Sequence, residues 1–331
     1  MNLIRQILYR NKDISRKRLE KHVKLNNLNE ALSINEVTRS APASIVKFAL
    51  RGVDKEYIDI CNTKCTKLMV NTNKKYFANT KRQKDVVVFY IHGGGFCTGF
   101  PEQASYLLKA LMRYFGCDCI APKYPLSPEN IYPTAIDTLY NIYSQIQNTY
   151  KNIILIGESA GANLAVALML KLRDNSKKQP ACAILPSGFY DLTREGFATK
   201  ENEKLDPSLS DVVLKYMGIA YTHGKNISDI NKELLQNPYV STIYACLKDL
   251  PPMFFSVCKD EILYDDTLKM VENCKRDNVS YQLHETKNCF HAYAIMGEFF
   301  TESKHTCKSI EKFILNFTNI KSTYTKPIKS K

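Results

Sequence analysis

Short apolar runs alternate with longer mixed segments from about residue 85 to the C-terminal region. Apolar runs of about four to eight residues indicate buried strands, whereas apolar residues spaced three and four apart indicate amphipathic helices. Their alternation predicts an α/β protein with a mostly parallel sheet and helices on both faces. The predicted strands are residues 86–91, 117–122, 153–156, 181–185, 253–257 and 279–283. The predicted helices are one that opens at Pro101 and Glu102, then 131–147, 162–172, about 265–276, and a closing helix with Ile310, Phe313, Ile314 and Phe317 inward.

The alternation lapses in two places, where we predict a cap over the core. Residues 1–50 are helical in tendency and precede the first clear strand, and residues 188–237 are polar and charged with short apolar pieces. We therefore predict an N-terminal helical cap segment over 1–50 and one α/β core over 51–331, with a cap insertion at about 188–237. A chain of 331 residues can bury a sizeable core without disulfides or metals.

Two glycine-rich strings each follow a predicted strand. The string Gly-Glu-Ser-Ala-Gly at 157–161 stands between a strand and an apolar helix, which is the context of a nucleophile elbow. The string His-Gly-Gly-Gly-Phe at 92–96 lets the main chain approach a reacting carbonyl and donate N–H groups to an oxyanion. Together the strings predict a serine hydrolase with Ser159 as nucleophile. The oxyanion hole would be formed by Ala160 and the glycine loop.

A serine nucleophile needs a histidine base and a carboxylate that orients it, and on this kind of fold they follow the serine in the order acid, then histidine. Of six histidines, four follow Ser159, namely His223, His284, His291 and His305. His291 is best placed, because it lies in a loop just after the last predicted strand. Four carboxylates crowd the end of the preceding strand and leave the choice of acid open at this point, namely Asp260, Glu261, Asp265 and Asp266.

The combined strings resemble those of the hormone-sensitive-lipase-like esterases, a group of the α/β-hydrolase superfamily that includes arylacetamide deacetylases. The family's His-Gly-Gly-Gly matches 92–95, its Gly-Asp-Ser-Ala-Gly matches 157–161, and its acid loop Asp-x-Leu-x-Asp matches 261–265. The likeness spans about 85–295 and departs from the family pattern in Glu158 and in the acid itself. It implies an α/β-hydrolase fold, Glu261 as the acid, and Gly94 and Gly95 as oxyanion donors. It also implies that His92 shapes the loop.

The implied reaction is hydrolysis of small to medium carboxylic esters through an acyl-enzyme. An amidase or deacetylase would use the same triad, and a ligand-binding receptor on the same scaffold typically has an incomplete one, so both remain alternatives. The eleven cysteines lack paired Cys-x-x-Cys spacing, which predicts reduced thiols, no metal site and no cofactor. We expect a cytoplasmic protein.

The net charge of +13 is concentrated at the two ends of the chain. Residues 5–24 hold eight lysines and arginines, and residues 321–331 hold four lysines and no acid. Such ends are either simply solvated or draw a protein weakly to an anionic membrane surface. No basic and aromatic motif for nucleic acid accompanies them. The sequence predicts neither a signal peptide nor a transmembrane span, and it is silent on oligomeric state.

Overall fold

The computed structural model describes residues 2–24, 27–32, 34, 37–40, 43–195, 200–226 and 230–324. Within these residues, eight strands form one sheet: β1 (Asp54–Ile60), β2 (Thr63–Met69), β3 (Val86–Ile91), β4 (Asp118–Pro122), β5 (Asn152–Gly157), β6 (Cys182–Pro186), β7 (Met253–Cys258) and β8 (Tyr281–Thr286). Their order across the sheet is β1-β2-β4-β3-β5-β6-β7-β8. The pairs from β4 to β8 are parallel, and β2 pairs antiparallel with both β1 and β4. The predicted mostly parallel sheet is confirmed.

Helices cover both faces of this sheet. Those described are α1 (Asn2–Lys24), α2 (Leu28–Ala31), α3 (Ala43–Ala49), α4 (Ser105–Phe115), α5 (Thr134–Ile146), α6 (Ala160–Asp174), α7 (Lys200–Leu205), α8 (Asp211–His223), α9 (Lys232–Leu235), α10 (Tyr264–Arg276) and α11 (Thr301–Phe317). The buried residues of α5, α6 and α10 belong to one apolar cluster, and those of α4 and α11 to a second one. The sheet separates the two clusters.

β3 shows why the sheet needs cover on both sides. Successive residues of a strand point to opposite faces, so a strand that is apolar throughout must be buried on both. Side chains of one face of β3 join the cluster with α5 and α6, namely Val87, Phe89 and Ile91. Those of the other face join the cluster with α4 and α11, namely Val86, Val88 and Tyr90.

The carboxyl ends of β3, β5, β7 and β8 meet at one edge of the sheet, because these strands run in the same direction. The loop 92–96 follows β3, and Ser159 follows β5. Glu261 lies three residues beyond the end of β7, and His291 lies in the loop after β8. Parallel topology thus gathers the candidate residues from four distant parts of the sequence.

Helix α4 begins at Ser105 and not at the predicted opening, Pro101 and Glu102. The reason lies in the Glu102 carboxylate, which turns towards the β1–β2 hairpin. Its Oε1 accepts a hydrogen bond from Thr66 Oγ1 at 3.1 Å and lies 3.4 Å from Lys55 Nζ. Residues 101–104 therefore form a turn that satisfies a buried carboxylate before the helix starts.

Two further predictions near the C-terminus need correction. β8 begins two residues later than predicted, because the Val279 N–H donates to the Cys274 carbonyl at 2.9 Å and still belongs to the end of α10. His284, which directly follows the predicted strand 279–283, consequently lies within β8. The prediction that Phe317 points inward is wrong, since its side chain is 39% exposed at the end of α11.

The N-terminal helices and α8 pack together above the carboxyl edge of the sheet. Their cluster joins Leu19 of α1, Ala31 and Leu32 to Ala220 of α8 and to Cys97, which follows the glycine loop. Of the predicted cap insertion, residues 196–199 and 227–229 lie outside the described residues, as do eight positions of the predicted segment 1–50 and residues 325–331 of the basic C-terminal end. No described helix has both the length and the apolar character needed to cross a membrane.

Candidate active site

Ser159 occupies the sharp turn between β5 and α6. Its backbone angles are φ +56° and ψ −124°, which cost free energy for a residue with a side chain. Close packing holds this conformation, because a Cβ on Gly161 would lie only 2.2 Å from the Ile91 carbonyl oxygen. The Ser159 N–H donates to the Pro186 carbonyl at 3.0 Å, and its own carbonyl accepts the Phe189 N–H at 3.1 Å. The backbone at Ser159 therefore has the form of a nucleophile elbow.

A buried carboxylate faces the imidazole of His291. Glu261 Oε2 lies 2.9 Å from His291 Nδ1, and the Glu261 side chain is 1% exposed. Its other oxygen, Oε1, accepts hydrogen bonds from Ser187 Oγ and from the Cys258 N–H, both at 2.7 Å. Because both oxygens are occupied, the carboxylate is fixed with one lone pair directed at the histidine ring.

Asp260, the neighbouring candidate for the acid, points to different partners. Its Oδ2 accepts hydrogen bonds from Arg5 Nη1 at 3.0 Å and from the Asn288 N–H at 2.9 Å. The structure thus brings Glu261, and not Asp260, into contact with His291.

The remaining candidates lie on regular elements. Asp265 and Asp266 belong to α10, where Asp266 is buried and forms an ion pair with Arg194 at 3.1 Å. His284 lies within β8, and His305 lies on α11. Of the histidines that follow Ser159, His291 is the one that the structure places in contact with a buried carboxylate of the carboxyl edge.

The segment 187–189, which follows β6, connects the serine to the other two groups. Ser187 Oγ donates to Glu261 and accepts the Ala292 N–H at 3.1 Å, while two residues later Phe189 bonds the Ser159 carbonyl. The sequence analysis did not identify Ser187. The available signal was its position directly after a predicted strand. That strand lies, along the chain, between the strand before the nucleophile and the strand before the acid.

Within the described residues, no hydrogen bond joins Ser159 Oγ to the His291 ring, which instead contacts Glu261 through Nδ1. Burial lowers the pKa of His291, but the hydrogen bond and the charge of Glu261 together raise it more. The net shift of the His291 pKa is upward from its ordinary value of 6.5. The carboxylate thus makes the imidazole a stronger base.

The glycine loop turns backbone N–H groups towards the same edge. Gly94 has φ +111°, and a Cβ there would lie 2.3 Å from the Thr98 carbonyl oxygen, so only glycine fits. Ala160 is the first residue of α6, where N–H groups have no partner inside the helix and the helix dipole is positive. Among the described residues, the N–H groups of Gly94, Gly95 and Ala160 have no hydrogen-bond acceptor.

Glu158 holds this loop against the serine. It is 1% exposed, and its Oε1 accepts hydrogen bonds from the Gly93 N–H at 2.8 Å, Tyr90 Oη at 2.8 Å and Gln103 Nε2 at 3.0 Å. Burial raises the pKa of Glu158 to about 7. A Cβ on Gly93 would lie 3.0 Å from that of Ser159, so the loop and the elbow are in contact. From the sequence, Glu158 was only a departure from a family pattern.

His92 lies beneath the loop and is 1% exposed. Its Nδ1 lies 2.8 Å from the Gly93 carbonyl oxygen, and its ring stacks on Tyr124 with centroids 4.3 Å apart. Burial lowers the pKa of His92 to about 4, so the ring is neutral at neutral pH. These contacts fit a residue that shapes the loop.

A cavity of about 180 Å³ lies between the N-terminal helices and α8. Its apolar walls include Ala31, Leu32 and Val213, and Met217 of α8 forms another part of the lining. Met217 also lies against the glycine loop. Its Sδ occupies the space beside Gly95, where an added Cβ would come within 2.0 Å of it. The sequence analysis did not identify Met217, since a methionine in a helix is ordinarily a packing residue.

Comparisons with known proteins agree with this architecture. A family model described as alpha/beta hydrolase fold matches residues 88–295. An esterase of Acinetobacter venetianus is 31% identical over 230 residues, covering 69% of this chain and 74% of that protein. An acetyl-hydrolase of Streptomyces hygroscopicus is 27% identical, covering 64% of this chain and 69% of that protein. The solved structure of EstE7, an HSL homologue from a metagenome library, superposes with a TM-score of 0.73 at 24% identity over 95% of this chain and 97% of that one.

Proposed function

This chain belongs to the alpha/beta hydrolase fold family, and from that premise we propose that it is a carboxylic-ester hydrolase acting through Ser159, His291 and Glu261. The observation that carries the proposal is the contact between the buried Glu261 carboxylate and the partly buried His291 ring, 2.9 Å apart, at the sheet edge where Ser159 occupies its strained turn. The resemblance predicted from the sequence is confirmed at the level of family and fold. The esterase among the relatives supports an ester as the bond that is cleaved, and the acetyl-hydrolase supports a small acyl group.

In the proposed reaction, Ser159 Oγ attacks the ester carbonyl carbon while His291 Nε2 takes its proton. Glu261 orients the ring through Nδ1 and stabilises the imidazolium. The oxyanion accepts hydrogen bonds from the N–H groups of Gly94, Gly95 and Ala160. The imidazolium then gives its proton to the leaving alcohol, and an acyl group remains on Ser159. Water, deprotonated by His291, then attacks the acyl carbon. The imidazolium returns the proton to Ser159 Oγ as the bond between that oxygen and the acyl carbon breaks, which releases the carboxylic acid and restores the enzyme.

The first proton transfer requires Ser159 Oγ and His291 Nε2 to come within about 3 Å, and such hydrogen bonds often tighten only when substrate is bound. Support for their approach comes from the segment 187–189, which bonds the Ser159 carbonyl at one end and the Glu261 carboxylate at the other. Ser159 and Glu261, which orients His291, are thus attached to one short stretch of backbone.

We propose that a cap over the core, formed by the segments 1–50 and 188–237, selects the substrate. We propose that this cap selects small to medium acyl groups, with the cavity beside Met217 as one part of the selecting surface, because Met217 also contacts the glycine loop. An amidase or deacetylase would use the same three groups, but the esterase named above favours an ester. A non-catalytic receptor is disfavoured, because the Glu261 and His291 pair is already assembled.

The pH dependence of hydrolysis tests the proposal. We expect kcat/KM for p-nitrophenyl butyrate to rise with pH through a midpoint above 6.5, because only neutral His291 can take the serine proton and its pKa is raised. A matched acetanilide series, measured in parallel, separates esterase from amidase activity. Failure to hydrolyse either series, or a midpoint below 6.5, would argue against the assignment.

A weak attraction to anionic membranes is a second part of the proposal, and it is supported by the outer face of α1. Ile7 and Ile14 are 53% and 51% exposed. Lys17 and Lys21, at helical spacing from them, are also exposed. Interfacial helices combine apolar and basic residues in this way, and each basic side chain near an anionic surface contributes about 1 kcal/mol.

Vesicle sedimentation tests this attraction. We expect the protein to sediment with vesicles that contain phosphatidylserine and to stay in the supernatant with phosphatidylcholine vesicles. The variant K17Q/K21Q should sediment less, because it loses two of the cationic side chains on that face. Equal sedimentation with both kinds of vesicle would contradict an electrostatic contribution.

The cytoplasmic location also remains a proposal. All eleven cysteines are free, and nine of them are buried. Thiols persist in the reducing environment of the cytoplasm, whereas secreted proteins commonly pair them.

A further inference from the structure

The side chain of Arg5 extends from α1 to the two loops that carry the proposed acid and base. Its Nη1 donates to Asp260 Oδ2 at 3.0 Å and to the Cys289 carbonyl at 2.7 Å. Asp260 directly precedes Glu261, and Cys289 comes two residues before His291. The Arg5 side chain is 14% exposed, so the guanidinium is largely shielded from water.

Asp260 completes a crosslink between these loops. The oxygen that accepts Arg5 also accepts the Asn288 N–H at 2.9 Å, and Asn288 belongs to the histidine loop. Hydrogen bonds between charged groups are stronger than neutral ones, and Asp260 is itself only 17% exposed. Arg5 therefore bonds the histidine loop directly and also bonds the carboxylate that ties this loop to the acid loop.

The other side of Arg5 is anchored in the cap. Its Nη2 donates to the Leu205 carbonyl at 3.2 Å and lies 3.5 Å from Tyr9 Oη. Lys12 Nζ, two turns further along α1, donates to the Asp206 carbonyl at 2.9 Å. These contacts fix α1 to the C-terminal end of α7.

The segment at the end of α7 in turn holds the backbone around Glu261. Asn202 Nδ2 donates to the Glu261 carbonyl at 3.1 Å, and Asp206 Oδ2 accepts the Ile262 N–H at 2.9 Å. The acid loop is thus held from two sides, by Arg5 through Asp260 and by α7 through its backbone.

We infer that Arg5 is a positioning residue for catalysis, which keeps the loops of Glu261 and His291 in register by bonding Asp260 and the Cys289 carbonyl together. The inference rests on the proposed function of Glu261 and His291. Without the guanidinium, the hydrogen bond from the Asn288 N–H to Asp260 is the contact that still joins the two loops at this point. The imidazole then spends less time aligned with the serine. Misplacement of a catalytic group by about 1 Å can cost on the order of 100-fold in rate.

The test compares R5A, R5K and R10A, the last being a matched control because Arg10 is an exposed arginine of the same helix. Active sites are counted by titration with a fluorophosphonate, and kcat per titrated site and KM are measured with p-nitrophenyl butyrate. We expect R5A to lower kcat per site by about 10- to 100-fold with KM changed less than about threefold. R5K should recover part of the loss, because an ammonium can still bond one of the two acceptors. R10A should match the wild-type protein.

A double-mutant cycle with D260N tests the linkage through Asp260. The double variant R5A/D260N should be far less damaged than the product of the two single effects, because both changes break the same crosslink. Multiplicative effects would overturn this linkage. An R5A protein with fewer titratable sites but wild-type kcat per site would show that Arg5 only stabilises the fold, and would overturn the inference. A wild-type protein without esterase activity would instead contradict the proposed function on which the inference rests.

Discussion

Replacing Ser159 by alanine will lower kcat for p-nitrophenyl butyrate by on the order of 10⁴- to 10⁶-fold, because the hydroxyl that forms the acyl-enzyme is lost. The oxyanion donors and the cavity remain in this variant, so a small residual rate above that of water is expected. Alanine fits the turn at φ +56° no worse than serine does, and the unfolding midpoint should change little. Initial rates of the purified proteins, with circular dichroism to verify folding, give the measurement.

The variant S280A provides a matched control for this experiment. Ser280 is an exposed serine just before β8, far along the chain from the elbow, and its replacement should leave kcat unchanged. Undiminished turnover by S159A would show that another group is the nucleophile.

Replacing Glu261 by glutamine should lower kcat by on the order of 10⁴-fold. The amide removes the negative charge that stabilises the imidazolium and no longer fixes the ring in the tautomer that leaves Nε2 free. Since the carboxylate raises the pKa of His291, the midpoint of the remaining pH profile should move to lower pH. Rates of E261Q across the neutral range, compared with those of the wild-type protein, measure both effects.

The neighbouring variant D260N gives the contrast that this prediction needs. Asp260 bonds Arg5 and Asn288, so its loss should cost no more than about 100-fold and should leave the pH midpoint near the wild-type value. A larger loss in D260N than in E261Q would assign the acid to Asp260 instead.

The central parallel strands could be predicted because they are almost entirely apolar. β3, β5 and β7 are buried on both faces, and their runs of valine, isoleucine and phenylalanine stand out in the sequence. The hairpin of β1 and β2 was not predicted, since β1 at the sheet edge exposes four of its seven residues and interleaves charges with apolar side chains. An edge strand with mixed polarity resembles a loop in sequence.

The site could be predicted where local backbone chemistry demands particular residues. The turn at Ser159 and the bend at Gly94 each leave a glycine signature in the sequence. Local backbone chemistry left the choice between Glu261 and Asp260 open, and only the resemblance to the family's acid loop implied Glu261. Arg5 was beyond reach for another reason: it contacts Asp260 across 255 positions of sequence, and no local pattern encodes that contact.

The most direct measurement of the central claim is the site of covalent labelling by a fluorophosphonate, determined by mass spectrometry of the folded protein and its peptides. The account predicts one adduct, on Ser159, with labelling abolished in S159A and strongly slowed in E261Q. An adduct on another residue, or an active enzyme that the reagent neither labels nor inhibits, would contradict it.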